Sequence, residues 1–328
     1  ETLDGELVAV SNNPIDKIWR NQPPPPMAPV IPHDISFTGE HSSEKRVRLA
    51  EKMESDAIVI TAPDSIAWLL NIRGGDVAHS PLPLSKAILY KDSRVDLFLE
   101  TSKRGPGLSA HLGNEVALQP AERFEKTLDG LTGCKVQLDP DQTSAWIFER
   151  LDRTGAVICQ ASDPCQLAKA IKNDIELAGA RAAHIRDGAA LSKFLHWLSV
   201  FAPQGEIDEF GAEQKLTKYR QDGEHFKDLS FPTITGSGPN GAIVHYRVTK
   251  ESNRKLGLGE LYLVDSGAQY LDGTTDVTRT VAIGRPTPEM QERFTRVLKG
   301  HIAIATTCFP QGTTGAQLDV LARHALWQ

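Results

Sequence analysis

The chain has 328 residues, 40% apolar and 24% charged, with a formal charge of −6. At about 150 residues per domain this is two domains of ordinary globular composition, each long enough to bury a core. The acidic balance, without Lys/Arg runs, excludes the electrostatic footprint of a nucleic-acid binder, and no stretch approaches the roughly 20 continuous apolar residues of a membrane helix.

The first residues, ETLDGELVAV, have no basic region followed by an apolar one, so they do not read as a signal peptide. Glu1 is not a methionine and Gln328 follows an apolar-periodic run directly, which leaves open whether these 328 residues are a whole protein. QPPPPMAPVIP (Gln22–Pro32) comes next. Consecutive prolines lack N–H donors and fix φ, so this stretch, at the end of residues 1–33, reads as a semi-rigid spacer. From residue 34 to 162 short apolar runs alternate with helical ones. Strands are expected at Ala57–Ala62, Lys86–Lys91, Val95–Glu100, Lys135–Asp139 and Val157–Gln160. Helices are expected in SSEKRVRLAEKM, AERFEKTLDGL and TSAWIFERLDR, giving an α/β domain around a central sheet. Cys134, Cys159, Cys165 and Cys308 have no C-x-x-C spacing and read as buried, reduced thiols in a cytoplasmic setting.

Residues 163–328 follow an α+β pattern. Asn173 and Glu176 have capping-box spacing ahead of a helix running to about Leu198. A second helix spans about Ile207–Arg220. Then come β-rich segments, FPTITGSG, GAIVHYRV, GELYLVDSGAQY and TTDVTRTVAI. Thr287-Pro288-Glu289 opens a further helix with Met290, Phe294, Val297, Leu298 and Ile302 on one side, and a last helix starts near Gly315.

Chemistry-bearing residues concentrate in LYLVDSGAQYLDGTTDVTRTVAI. Its arms flank Tyr270-Leu271-Asp272-Gly273, as in a hairpin. With the turn centred between Tyr270 and Leu271, Asp265 and Asp276 face each other. Opposed carboxylates repel, so the pair needs a cation or a proton. A divalent-metal pair satisfies both; two aspartates bonding turn amides or facing solvent is the plainer reading. His245 ends the strand expected in PNGAIVHYRV. It is either a partly buried structural histidine or an imidazole at a site mouth that donates to a substrate carbonyl. Arg73, Asp76 and His79 share the loop NIRGGDVAHSP, a weak signal on its own. Phosphate-loop, dinucleotide, nucleophile-elbow and H-E-x-x-H patterns are missing.

DSGAQYLDGTTDVTRT, FPTITGSGPNGAIVHY, WLLNIRGGDVAHSP and DKIWRNQPPPP together resemble the Xaa-Pro aminopeptidases (aminopeptidase P) of the pita-bread metallopeptidase family, in its three-domain form. The resemblance implies a creatinase-like α/β middle domain and the first half of a pita-bread catalytic domain. It implies two divalent metal ions, manganese first with zinc or cobalt as alternatives, held by two Asp, one His and two Glu. Asp265 and Asp276 match the two Asp positions. His245 matches the histidine lining the substrate site, and Arg73 lies in a loop that approaches it. The implied reaction is removal of an N-terminal residue ahead of proline, by a hydroxide bridging the metals, in a cytoplasmic homodimer. No H-G-x-G-H-type segment or glutamate motif follows Asp276. The remaining His and two Glu are therefore expected beyond Gln328, and these residues alone are expected to be inactive. The alternatives are a prolidase, which takes only dipeptides, and a non-catalytic member serving as a binding module.

Overall fold

The structure, a computed structural model, describes residues 5, 8, 10 and 12–328. They form two compact units. One holds the described residues up to His33 together with Glu40–Ala170; the other holds Asp34–Gly39 and Ile171–Gln328. The division falls one short helix later than the Asp163 read from the sequence. That helix, Pro164–Ala170, packs on the first unit's own helix Pro63–Leu70. It buries Cys165 in the first unit's core, and Lys169 pairs with Asp64. Asp34–Gly39 joins the second unit through Asn173, whose side-chain amide donates to the Thr38 carbonyl at 2.8 Å.

The first unit is built on a six-stranded mixed sheet of β1 (Ala57–Ile60), β2 (Lys86–Tyr90), β3 (Val95–Leu99), β4 (Val116–Pro120), β5 (Lys135–Leu138) and β6 (Val157–Gln160), in the spatial order β4-β3-β2-β1-β5-β6. β1 pairs antiparallel with β2 and parallel with β5. Side-chain alternation sorts the apolar residues to two faces. Ile58, Ile60, Ala87, Leu89 and Leu97 join one core with α1 (Ser42–Glu51) and α2 (Pro63–Leu70). Ala57, Val59, Ile88, Phe98 and Val136 join the other with α3 (Arg123–Asp129) and α4 (Ala145–Thr154). This is the expected α/β sandwich. β4 was not expected, because VALQP ends in a proline and does not alternate; it is an edge strand, where a missing N–H is tolerated. The proline run carries no helix, and its end, Ile31–Pro32, pairs with Ile72–Arg73.

The second unit begins with α5 (Asp174–Phe201), capped by Asn173 and Glu176 in a reciprocal box. α6 (Glu209–Gln221) packs beside it. A three-stranded antiparallel sheet, β8 (Ile234–Ser237), β9 (Leu261–Ser266) and β11 (Val277–Ala282), puts Tyr262 and Val264 against Leu191, Phe194 and Leu198 of α5 and Ala212 and Leu216 of α6. A second pair, β7 (Phe226–Leu229) with β10 (Ala268–Tyr270), covers the N-terminal half of α5 at Ala183. α7 (Pro288–Thr306) and α8 (Gly315–His324) follow. Thr287 caps α7 as its sequence requires, its hydroxyl accepting from the Met290 N–H. All four cysteines are free; Cys165 is buried, but Cys308 is exposed, against the expectation of four buried thiols.

Candidate functional site

β9 alternates between half-buried Leu261, Leu263 and Asp265 and buried Tyr262, Val264 and Ser266. The buried set faces α5 and α6, so Asp265 lies on the opposite face. The hairpin turn is centred one residue later than expected, between Leu271 and Asp272. The Tyr270 N–H donates to the Gly273 carbonyl at 2.8 Å, and Thr275 N–H to Ala268 at 2.9 Å. Asp265 therefore stands opposite Thr278, not Asp276. A one-residue shift of the turn centre moves every partner by two, which preserves the face. Asp276 lies one residue ahead of β11 and two before Thr278, where the strand alternation carried back would put it on the side of Asp265 as a diagonal neighbour. The diagonal spaces the carboxylates further apart than direct opposition. Asp276 is exposed, and Asp265 accepts from the Thr278 hydroxyl at 2.7 Å.

Gly267 makes this turn of chain possible. A Cβ there would lie 1.9 Å from the Thr275 carbonyl oxygen and 2.2 Å from Ser230 Oγ, so only glycine fits where β9 hands over to β10. The turn itself is anchored to α5: Arg186 pairs with both oxygens of Asp272 and lies 5.0 Å over the Tyr270 ring. Asp272 is thus a structural residue with a named partner.

His245 is not at a strand end. Residues 238–242 form a short 3-10 helix and Ile243–Tyr246 a tight turn, closed by Tyr246 N–H to the Ile243 carbonyl at 3.2 Å. The β-forming residues of GAIVHYRV are overruled by Pro239 and two glycines, which favour the turn. His245 has φ +55° and is exposed, with Ile243 and Val244 exposed beside it. A non-glycine residue at positive φ costs about 1–2 kcal/mol and persists only where its surroundings hold it. The base of the segment sits on the Asp265 side of the sheet: a Cβ on Gly241 would be 3.4 Å from Leu263 Cβ.

Behind this turn is Glu209, which the sequence reading passed over. It is 0% exposed, and its carboxylate accepts from Ser237 N–H (2.7 Å), Asn240 Nδ2 (3.0 Å), Tyr246 Oη (3.0 Å) and Arg254 N–H (3.1 Å). Burial first, and then the Glu209 carboxylate, push the Tyr246 phenol upward against the lowering influence of Ser252. A Glu at the first position of a helix reads in sequence as a dipole partner on the surface, so no signal marked it as a buried hub.

Arg73 belongs to the first unit. Its guanidinium donates to the Ile72 carbonyl at 2.9 Å and the Ala67 carbonyl at 3.4 Å. Asp76 pairs not with Arg73 but with buried Lys103, and it accepts from the Leu84 N–H at 2.7 Å, which fixes the loop.

Residues 21–176 match the Creatinase/Prolidase N-terminal domain, and residues 178–328 match Metallopeptidase family M24. The two halves of the chain are thus each similar to one of these two families. The chain is 39% identical over 336 residues to a protein of Aspergillus niger described as a probable Xaa-Pro aminopeptidase P, covering 98% of this chain and 55% of that one. An X-prolyl aminopeptidase from Caenorhabditis elegans, described as a cytosolic enzyme with a di-nuclear active site, superposes with a TM-score of 0.90 at 34% identity, over 98% of this chain and 54% of its own. The Xaa-Pro dipeptidase of Bacillus anthracis shares the fold, with a TM-score of 0.66 at 18% identity over 87% of this chain and 76% of its own. The chain thus spans about half the length of the aminopeptidase relatives it matches. The pita-bread architecture of the M24 half is the one expected.

Among the described residues, no group of three or more His, Cys, Asp or Glu is placed to hold a metal ion. Residues 178–328 offer the half-buried carboxylate of Asp265 on β9 and the exposed one of Asp276 just ahead of β11. Hard oxygen donors of this kind suit manganese and similar divalent cations, and they fit part of a ligand set. No described helix is long and apolar enough to cross a membrane.

Proposed function

We propose that this chain contributes to a metallo-exopeptidase that removes the first residue of peptides with proline second. Asp265 and Asp276 serve as two of its metal ligands, and His245 as its substrate-facing imidazole. The reading is supported by the register that sets Asp265 opposite Thr278, from which strand alternation carried back two residues puts Asp276 on the same side, in a chain 39% identical to proteins described as probable Xaa-Pro aminopeptidases. Thr278 steadies Asp265 by donating to one carboxylate oxygen. His245, exposed on its turn, can donate to the carbonyl of the bond to be cut. That bond has no N–H because its nitrogen is proline's, so a site built for it must recognise the carbonyl and the ring. Arg73 is kept as a substrate-side residue on the resemblance alone. When bound, divalent metal supplies Lewis acidity and nucleophile activation. Two such ions, manganese first, a homodimer and a cytoplasmic setting belong to the same reading; the cytosolic description of the nematode relative supports the last.

In protein carrying the full ligand set, manganese and Arg-Pro-Pro should yield free arginine. Asp265→Asn or Asp276→Asn should lower kcat/KM by at least about 100-fold, since even the outer partners of metal ligands are worth 10–100-fold. On the 328 residues alone the expected readout is weak manganese binding by electron paramagnetic resonance, lost in both variants. Cleavage of Arg-Pro but not Arg-Pro-Pro would make the protein a dipeptidase. Cleavage of neither would sink the reading.

A further inference from the structure

We propose that Glu209 is the positioning residue of His245: its buried carboxylate ties down both feet of the turn that presents the imidazole, and thereby sets where the imidazole meets a peptide. This rests on the reading of His245 as the substrate-facing residue.

The argument begins with the cost of the group. A carboxylate with no exposure is expensive to hold unless donors satisfy it. Glu209 is satisfied by neutral groups, two backbone N–H, one amide and one phenol. All of these donors come from residues 237–254, the segment that contains His245. Ser237 and Asn240 stand before the turn; Tyr246 and Arg254 stand after it. Tyr246 is the residue next to His245, and its hydroxyl is held a second time, by Asn240 Nδ2 at 2.8 Å. The backbone of Glu209 adds a further link, its N–H donating to the Arg254 carbonyl at 3.0 Å. An ionised carboxylate is acceptor-only at both oxygens and can serve four donors at once. A glutamine of the same shape accepts at one oxygen and turns an NH2 toward donors. The charge is therefore used for geometry. It also explains how His245 keeps a positive φ at an exposed turn tip where its side chain makes no hydrogen bond among the described residues: the strain is over-determined from beneath.

The test uses the 328-residue chain with 15N-labelled histidine, the His245 imidazole being assigned by its disappearance in His245→Ala. In Glu209→Gln the His245 resonances should shift or broaden, and amide exchange at residues 243–246 should rise at least tenfold, while the histidines of the first unit stay in place. A folded Glu209→Gln with unchanged His245 signals and exchange overturns the proposal. Should that variant not fold, Tyr246→Phe removes one donor and keeps the carboxylate. The same changes on a smaller scale are then expected, and their absence is equally fatal. In peptide-cleaving protein, Glu209→Gln should lower kcat/KM about tenfold and have no further effect in a His245→Ala background; additive losses would show Glu209 to be merely structural. Failure of the parent protein to cleave sinks the peptidase reading alone and leaves the His245 resonances to decide on Glu209.

Discussion

His245 occupies a position that chain chemistry reserves for glycine, the third residue of a tight turn with positive φ. Two substitutions separate its backbone from its imidazole. His245→Ala keeps a Cβ and so keeps the conformational cost; His245→Gly removes it. The glycine variant should be the more stable of the two by about 1 kcal/mol, the lower end of the penalty for an L residue in that region. Urea midpoints at unchanged slope measure the difference. Equal midpoints would mean that the turn relaxes to negative φ once the imidazole is gone. Both variants lose the imidazole that the proposed function turns toward substrate, so any gap in peptide affinity between them reflects presentation and not chemistry.

The turn and the aspartate pair are held by whole elements, and a buried lock joins three of them. Arg220 of α6 forks onto both oxygens of Asp187 of α5, at 2.8 and 3.0 Å. The Tyr270 hydroxyl of β10 donates to Asp187 at 2.8 Å. Both charged side chains are almost fully buried. Asp187→Ala leaves the guanidinium buried without its partner and should cost about 3–5 kcal/mol. Tyr270→Phe removes a single hydrogen bond and should cost about 1.5–3 kcal/mol, the range for a bond to a charged group. Chemical denaturation distinguishes them; a loss below 1 kcal/mol in Asp187→Ala would mean that water reaches Arg220. Elements at this scale were legible wherever one local rule decided them. The Asn173–Glu176 box, the Thr287-Pro288 start and the short apolar run AIVI each satisfied a backbone or burial requirement within a few residues. The hairpin's turn centre was misplaced by one, and its pairing by two, because Asp272, not Tyr270, enters the two-residue turn, and it is Arg186 on α5 that holds it there. The GAIVHY strand failed because Pro239 ahead of it, with Gly238 and Gly241, outweighs its β-branched residues. Asp187, Arg220 and Glu209 could not be found at all: a charged residue on a helix reads as solvent-facing until the packing that encloses it is known.

Across the molecule, the ionisation of buried neutral acids sets an upper pH limit in both units. Burial, followed by nearby Asp163, raises the Cys165 thiol well above its ordinary value. Burial likewise raises the phenols of Tyr90, beside Asp96, and Tyr270, beside Asp187. It raises Tyr262 even though the Thr235 hydrogen bond works the other way. A folded-state pKa above the unfolded one means that the native state prefers the neutral form. The stability this confers is whole below the unfolded value and is lost as pH climbs through it toward the folded value. The thiol begins this loss above about pH 8.5 and the phenols above about pH 10. Because Cys165 and Tyr90 lie in the first unit and Tyr262 and Tyr270 in the second, neither unit escapes. The chain should therefore hold its far-ultraviolet circular dichroism to about pH 10. Beyond that, helix signal should disappear together with the rise of phenolate absorbance at 295 nm, in one steep transition per unit. Phenolate absorbance that follows an ordinary curve centred near pH 10, with circular dichroism unchanged, would place these hydroxyls in contact with solvent and remove the burial on which Asp187 and β10 depend.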